Sequence, residues 1–340
     1  MKKLNIIMNE RIYQDRNFFY SENIDCKSIV EGLKEKFELK LFARRTTVQK
    51  KNKLFFFNII LSNNIFCFLF NIIYSLKYRK NSTYLIISIT PYTFFSYLIL
   101  FFFTKNIFLY LRSDGFKEYL SILGNKWVFL YSFMFYIFTK KVKIISCASA
   151  LSKGKPFYFI RPSEIDNDWI SNRNFQINST IKILYIGRLK IEKGIFNLID
   201  LLKSIDDNNI NLSVVGEKSD LTKNFKNRIN FLDYVSEKKE LINLYDTHDM
   251  LILPSYTEAH PKVLDEALSR LKPVIIFDDI KHVINGRLGV FSSERKPCKL
   301  KETIYFIINH YHEIRNDIKK NKLPTKEYFL DNLVSIINNN

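Results

Sequence analysis

In the second half of the chain, short β-branched runs alternate with segments whose apolar residues recur every three or four positions. The runs "IKILYIG" (Ile181 to Gly187), "INLSVVG" (Ile210 to Gly216), "RINFLDYV", "MLILPS" and "KPVIIFD" read as strands buried on both faces. Between them, "GIFNLIDLLKSI", "EKKELINLYDTHD" and "PKVLDEALSRL" read as helices. Regular alternation of strand and helix predicts an open parallel α/β sheet.

The first half repeats the theme with more aromatic side chains. "KLNIIM", "YLIISIT", "NIFLYLRSD" and "KVKIISCA" read as strands separated by aromatic-rich helices, and "NERIYQDRNFFY" reads as the loop after the first strand. Between the halves, "RPSEIDNDWISNRNFQINST" is polar and has no period, as expected of an interdomain connection. The chain therefore divides into an N-terminal domain (1–165), a linker (166–180), a second domain (181–320) and a C-terminal tail or helix (321–340). A length of 340 residues suits two domains. Ligands of doubly wound sheets bind beyond the carboxyl ends of the strands, so two such domains imply a cleft between those ends.

Composition changes this picture in three places. The apolar runs "YTFFSYLILFFF" and "WVFLYSFMFYIF" are far shorter than the roughly 18 residues that span a bilayer, which predicts buried helices. Cys26, Cys67, Cys147 and Cys298 are widely spaced, which fits a reducing compartment and no zinc or disulfide framework. The formal charge of +18 is lopsided: residues 1–165 hold 26 Lys and Arg against 10 Asp and Glu, while the rest hold 26 against 24. So basic a first half suits an anionic surface or polymer as its partner.

Candidate chemistry lies just after the second-half strands. "GRLKIEKG" follows a strand, and Gly187 permits close backbone approach while Arg188 and Lys193 offer two cations suited to phosphate. "VVGEKSD" puts Gly216 at the next strand end. "EAHPKVLDE" sets Glu258 before a helix start and Glu266 within the helix, with Pro261 at its first position. The N–H groups of 259–263 (Ala259, His260, Lys262 and Val263 among them) and the helix dipole favour an anion, and two carboxylates can accept bonds from sugar hydroxyls. A molecule with a central diphosphate and a hydroxylated ring at each end, a nucleotide sugar, has the matching shape.

These segments, "IGRLKIEKG", "LSVVGEKSD", "INFLDYV", "DMLILPS" and "EAHPKVLDEALSRLKPVI", resemble in order and spacing the nucleotide-sugar domain of retaining GT-B glycosyltransferases of group 1, the family 4 type. The resemblance covers about residues 180–290, and "PSEID" at Pro162–Asp166 is similar to the family's interdomain segment. It implies two Rossmann-like domains and no cofactor or metal. It implies transfer of a sugar, with retention, from a nucleotide-diphosphate sugar to a glycan or lipid-linked acceptor, as in bacterial surface polysaccharide or lipopolysaccharide synthesis. By resemblance Arg188 and Lys193 hold the donor diphosphate, Glu258 faces the donor sugar and Glu266 holds the ribose. Gly187, Gly216, Ala259, His260, Lys262 and Val263 give backbone contacts. The family's "EGFP" is "EAHP" here, and its glycine-rich loop after the first strand is absent.

In the first half, Asp114 in "LYLRSDGFKEY" is either the polar group near the reacting sugar or a helix cap. Asp166 and Asp168 form a D-x-D inside the polar connection, where they read as hinge residues and not as a metal motif. Two other readings stand: a sugar-nucleotide epimerase of the same fold, or a non-enzymatic basic protein that binds nucleic acid or membrane. No nucleic-acid motif is present. The favoured location is cytoplasmic, peripheral on an anionic membrane face.

Overall fold

The computed structural model describes residues 1–78, 82–173, 180–216, 228–235 and 237–339. Residues 217–220 of "VVGEKSD", Arg79 and Lys80 of one basic cluster, residues 174–179 of the connection and Asn340 lie outside them.

The chain forms two compact units, Met1–Pro162 with Glu327–Asn340, and Ser163–Lys326. Strands of the first are β1 (Lys3–Asp15), β2 (Phe18–Ser21), β3 (Glu38–Thr46), β4 (Asn52–Leu54), β5 (Ile59–Ser62), β6 (Ser82–Ile87), β7 (Ile107–Leu111), β8 (Lys143–Ser146) and β9 (Phe157–Phe159). Its parallel core runs β5-β3-β1-β6-β7-β8-β9. β6 and β7 are buried at every position, the pattern of strands covered on both faces.

The expected loop after the first strand is instead a hairpin. β1 continues to Asp15, and β2 returns antiparallel with Tyr13 opposite Tyr20. Ile12 and Phe19 are buried and anchor the two arms, which the charged residues between them disguise.

The second unit holds β10 (Ile181–Ile186), β11 (Ile210–Val215), β12 (Ile229–Leu232), β13 (Met250–Leu253), β14 (Val274–Phe277) and β15 (Val290–Ser293). All pair in parallel, in the order β12-β11-β10-β13-β14-β15. From β10 the chain winds toward β12, and from β13 toward β15. The carboxyl ends of β10 and β13 therefore flank a topological switch point.

Two boundary expectations are corrected. The connection does not stand apart as far as Arg173: Ile165 and Trp169 are buried in the second unit's core, and Trp169 packs edge-on against Tyr245. The buried Arg270 pairs with Asp246 at 2.7 Å and donates to the carbonyls of Trp169, Ser171 and Asn172. Asp166 and Asp168 are not loose hinge residues, because both pair with Lys238. The tail is no appendage either. The helix Lys326–Asn338 returns to the first unit and buries Phe329, Leu333 and Ile337 there, with Leu330 against Gly32 of the helix Ile24–Leu33.

Leu333 is fully buried. Leu333→Ala should destabilise the protein by about 2–5 kcal/mol, lowering the temperature of thermal unfolding. An unchanged transition would mean that this helix is not part of the first unit's core.

Candidate active site

Both loops that leave the switch point in the second unit are shaped by their sequence. After β10, Gly187 donates its N–H to Val215 O at 3.1 Å. A side chain at Gly216 would strike the carbonyl oxygen of Gly187. Both glycines thus permit adjacent strand ends to close up. Tyr185 donates its hydroxyl to Arg188 O at 2.8 Å, which fixes the turn that presents Arg188. Arg188 is exposed and forms no ion pair with the described residues. A single 3-10 turn, Ile191–Lys193, then brings Lys193 forward and ends at Gly194 with φ +66°. Any larger residue would be strained there and would collide with the Pro254 carbonyl.

The second loop, Pro254 to Pro261, meets the first along its length. Tyr256 donates its N–H to Glu192 O at 3.0 Å. Lys193 Nζ lies 2.6 Å from Glu258 Oε1, and Ser255 Oγ donates to the same oxygen at 2.7 Å. His282 Nε2 lies 2.8 Å from Glu258 O. Behind them, Arg295 donates to Pro254 O (2.8 Å) and Ser255 O (3.1 Å), bonds Asp279 and Asn197, and sits between the rings of Tyr256 and Phe277. Sequence reasoning had not singled out Ser255, His282 or Arg295. Ser255 closes the run "MLILPS" without a role of its own there, His282 and Arg295 lie outside the recurring segments, and only folding gathers the three.

The helix after this loop spans Lys262–Ser269, two residues short of its expected end, and Pro261 is its cap and not its first residue. Its first-turn N–H groups, including that of Val263, lack intrahelical partners by construction. Lys262 Nζ reaches Glu164 at 3.0 Å. His260 Nε2 is 3.3 Å from Asp265 Oδ2, and Arg287 grips Asp265 with two bonds of 2.6 and 3.0 Å. Where the resembled family has an aromatic residue, this chain therefore has an imidazole beside a buried, braced carboxylate. Ala259 joins Glu258 to His260 and brings no functional group of its own.

Glu266 is buried, and Tyr245 donates to its Oε2 at 2.8 Å. Burial pushes its carboxyl up to about 7, with the Tyr245 bond and Lys262 opposing and Glu164 and Asp265 reinforcing. The geometry thus places Arg188, Lys193, Glu258 and the helix start in one loop pair and puts Glu266 within that helix. Asp114 lies in the other unit. It caps the helix Gly115–Leu123 through Phe116 N (3.1 Å) and Lys117 N (3.4 Å), with Lys153 3.8 Å away.

Solved structures with this architecture include sucrose-phosphate synthase from Thermosynechococcus elongatus, at 14% identity and TM-score 0.70 over 100% of this chain and 99% of that one. WaaG, a glycosyltransferase involved in lipopolysaccharide biosynthesis, aligns at 14% identity and TM-score 0.68 over 99% and 100%. Anabaena Alr3699/HepE in complex with UDP aligns at 12% identity and TM-score 0.62 over 100% and 98%. The fold is GT-B. Residues 168–323, nearly the whole of the second GT-B unit, match the family model for glycosyl transferases group 1. No curated protein sequence matches the chain significantly.

Glu266 makes stability depend on pH. Its folded value near 7 exceeds the ordinary 4.5, so between those values the folded protein holds a proton that the unfolded chain has lost. Stability must fall as pH rises through that window, by up to about 3 kcal/mol. Glu266→Gln should gain on the wild type from about pH 5 to pH 7 in thermal unfolding and level off above that. A difference independent of pH would show that this carboxyl titrates normally.

Proposed function

We propose that the protein is a retaining, metal-independent glycosyltransferase that uses a nucleotide-diphosphate sugar. The observation that carries this reading is the Lys193–Glu258 pair, which joins a phosphate-type cation to a carboxylate across two loops at one switch point. Cations there can take the charge that builds on a departing diphosphate, as Lewis acids do elsewhere. Arg188, exposed at the same loop, offers a bidentate grip on phosphate. The group 1 family match over 168–323 and the UDP-bound HepE relative support a nucleotide-sugar donor.

In the proposed reaction an acceptor hydroxyl attacks the anomeric carbon from the face that the diphosphate leaves. The bond from that carbon to the phosphate oxygen breaks, and the hydroxyl proton passes to the departing phosphate. Glu258, its carboxylate oriented by Lys193 and Ser255, stands by the sugar and stabilises positive charge developing on it. Glu266 accepts a ribose hydroxyl, while the backbone at Gly187, Gly216 and 259–263 lines the donor. The first unit binds the acceptor, a glycan or lipid-linked glycan of bacterial surface polysaccharide or lipopolysaccharide type. Asp114 has a part near the reacting sugar only if its cap opens to the substrate. The lopsided positive charge supports work at the inner, anionic face of the cell membrane.

Arg188→Ala and Lys193→Ala should each weaken nucleotide-diphosphate binding by roughly 1.5–3 kcal/mol, the worth of a charged hydrogen bond. Calorimetric titration with UDP and GDP species measures this. Undiminished binding by the double variant would move the donor site elsewhere. Glu258→Gln should lower turnover far more than nucleotide affinity, and a fully active variant would leave Glu258 as a loop brace only.

A further inference from the structure

The first unit has an apolar outer surface that its fold does not use. The helices Ile65–Ser75, Pro91–Phe103, Gly115–Leu123 and Asn125–Phe138 lie side by side, joined by ring contacts such as Phe68–Tyr92, Phe94–Phe133 and Phe116–Tyr131. The first, second and fourth each bury one face, as a surface helix should. The opposite face is ordinarily polar. Here it carries Phe66 (81% exposed), Phe70, Phe102 (78%) and Phe129 (80%), with Phe133 and Tyr136 one and two turns past Phe129. So large a contiguous apolar surface marks an interaction site. Among the described residues no helix is long and apolar enough to cross a membrane.

Charge identifies the occupant. In the sequence of the four helices the only acidic residue is Glu118. Lysines follow three of the helices at their carboxyl ends: Lys77, Lys105, and Lys140 with Lys141. Lys140 Nζ lies 4.7 Å from the Tyr136 ring centroid and Lys141 Nζ 4.2 Å from that of Phe101. An aromatic face with a basic rim is the pattern of a surface that lies in the interfacial region of an anionic bilayer. A second copy of the chain would bring lysines and almost no acid to pair with these lysines. The other basic cluster is otherwise engaged: Arg44 bonds Asn9 and covers Tyr92, Arg45 bonds Gln14, and Lys50 pairs with Glu22.

We propose that this four-helix face docks the protein on an anionic lipid surface, with the aromatic rings in the interface and the lysines at the headgroups.

The test is flotation of the full chain with phosphatidylcholine vesicles, with and without phosphatidylglycerol. Binding should require phosphatidylglycerol and weaken with salt. Replacing Lys105, Lys140 and Lys141 with Gln should weaken binding about a hundredfold, at roughly fivefold per lysine. Phe66→Ser, Phe70→Ser and Phe129→Ser together should abolish it without lowering the unfolding temperature, since these side chains are already in water. Two outcomes overturn the proposal: no binding to either vesicle, or equal binding to neutral vesicles at high salt. A wild-type dimer that ignores lipid and that the serine variant splits also overturns it, and makes the occupant a second copy. The dependence on anionic lipid and on salt is read on unmodified protein, so a variant that fails to fold does not blunt the test. No nucleotide is involved, so failure would leave the donor-site reading intact.

Discussion

Two neighbouring parallel strands, β10 and β13, send the chain away in opposite directions, and the second unit's chemistry depends on that divergence. No crossover helix can cover the point where they part, so the loops at Gly187–Gly194 and Pro254–Pro261 are left to cover each other. They do so through contacts that demand particular residues. Gly194 has a left-handed backbone and lies against the Pro254 carbonyl, Tyr256 bonds Glu192, and Lys193 meets Glu258. The cation we assign to phosphate and the carboxylate we assign to the sugar become neighbours because two strand ends are neighbours.

The ion pair at the centre of this arrangement is half-sheltered, with 22% of the Lys193 side chain and 12% of Glu258 exposed. A fully exposed pair contributes little and a fully buried one is expensive to desolvate. Between those limits the pair can orient both groups and still open to a ligand. Its scaffold is more rigid: Arg295, with four polar partners and two rings around it, holds the carbonyls of Pro254 and Ser255 and so fixes where Ser255 meets Glu258. His260 and the Arg287–Asp265 pair give the start of the helix Lys262–Ser269 a polar character that an aromatic residue at that position would not.

The second unit was legible in the sequence because five of its strands read as mostly apolar runs, each ending at a glycine, a proline or an aspartate, whereas the half-buried β15, "VFSS", escaped that reading. Residues 181–277 follow that reading almost element by element. The first unit was less legible for a physical reason. β3, "ELKLFARRT", is an internal strand between β1 and β5, but lysine and arginines at its flanks hide the alternation of Leu39, Leu41 and Ala43. The hairpin of β1 and β2 hid in the same way. Of the site, the cations and carboxylates were visible from spacing after strands. Ser255, His282, Arg287 and Arg295 were not, because they act through tertiary contacts that leave no periodic trace. The burial of Glu266 was also invisible, since it depends on Tyr245, 21 positions away.

Hydrogen exchange read by mass spectrometry, with and without a panel of UDP-, GDP- and ADP-sugars, tests most directly whether the two loops form one donor site. A sugar that binds should slow exchange at 187–194 and at 255–263 together, because the same diphosphate and sugar engage both. Protection of only one loop, or protection confined to the first unit, would contradict a shared donor site at the β10–β13 switch point.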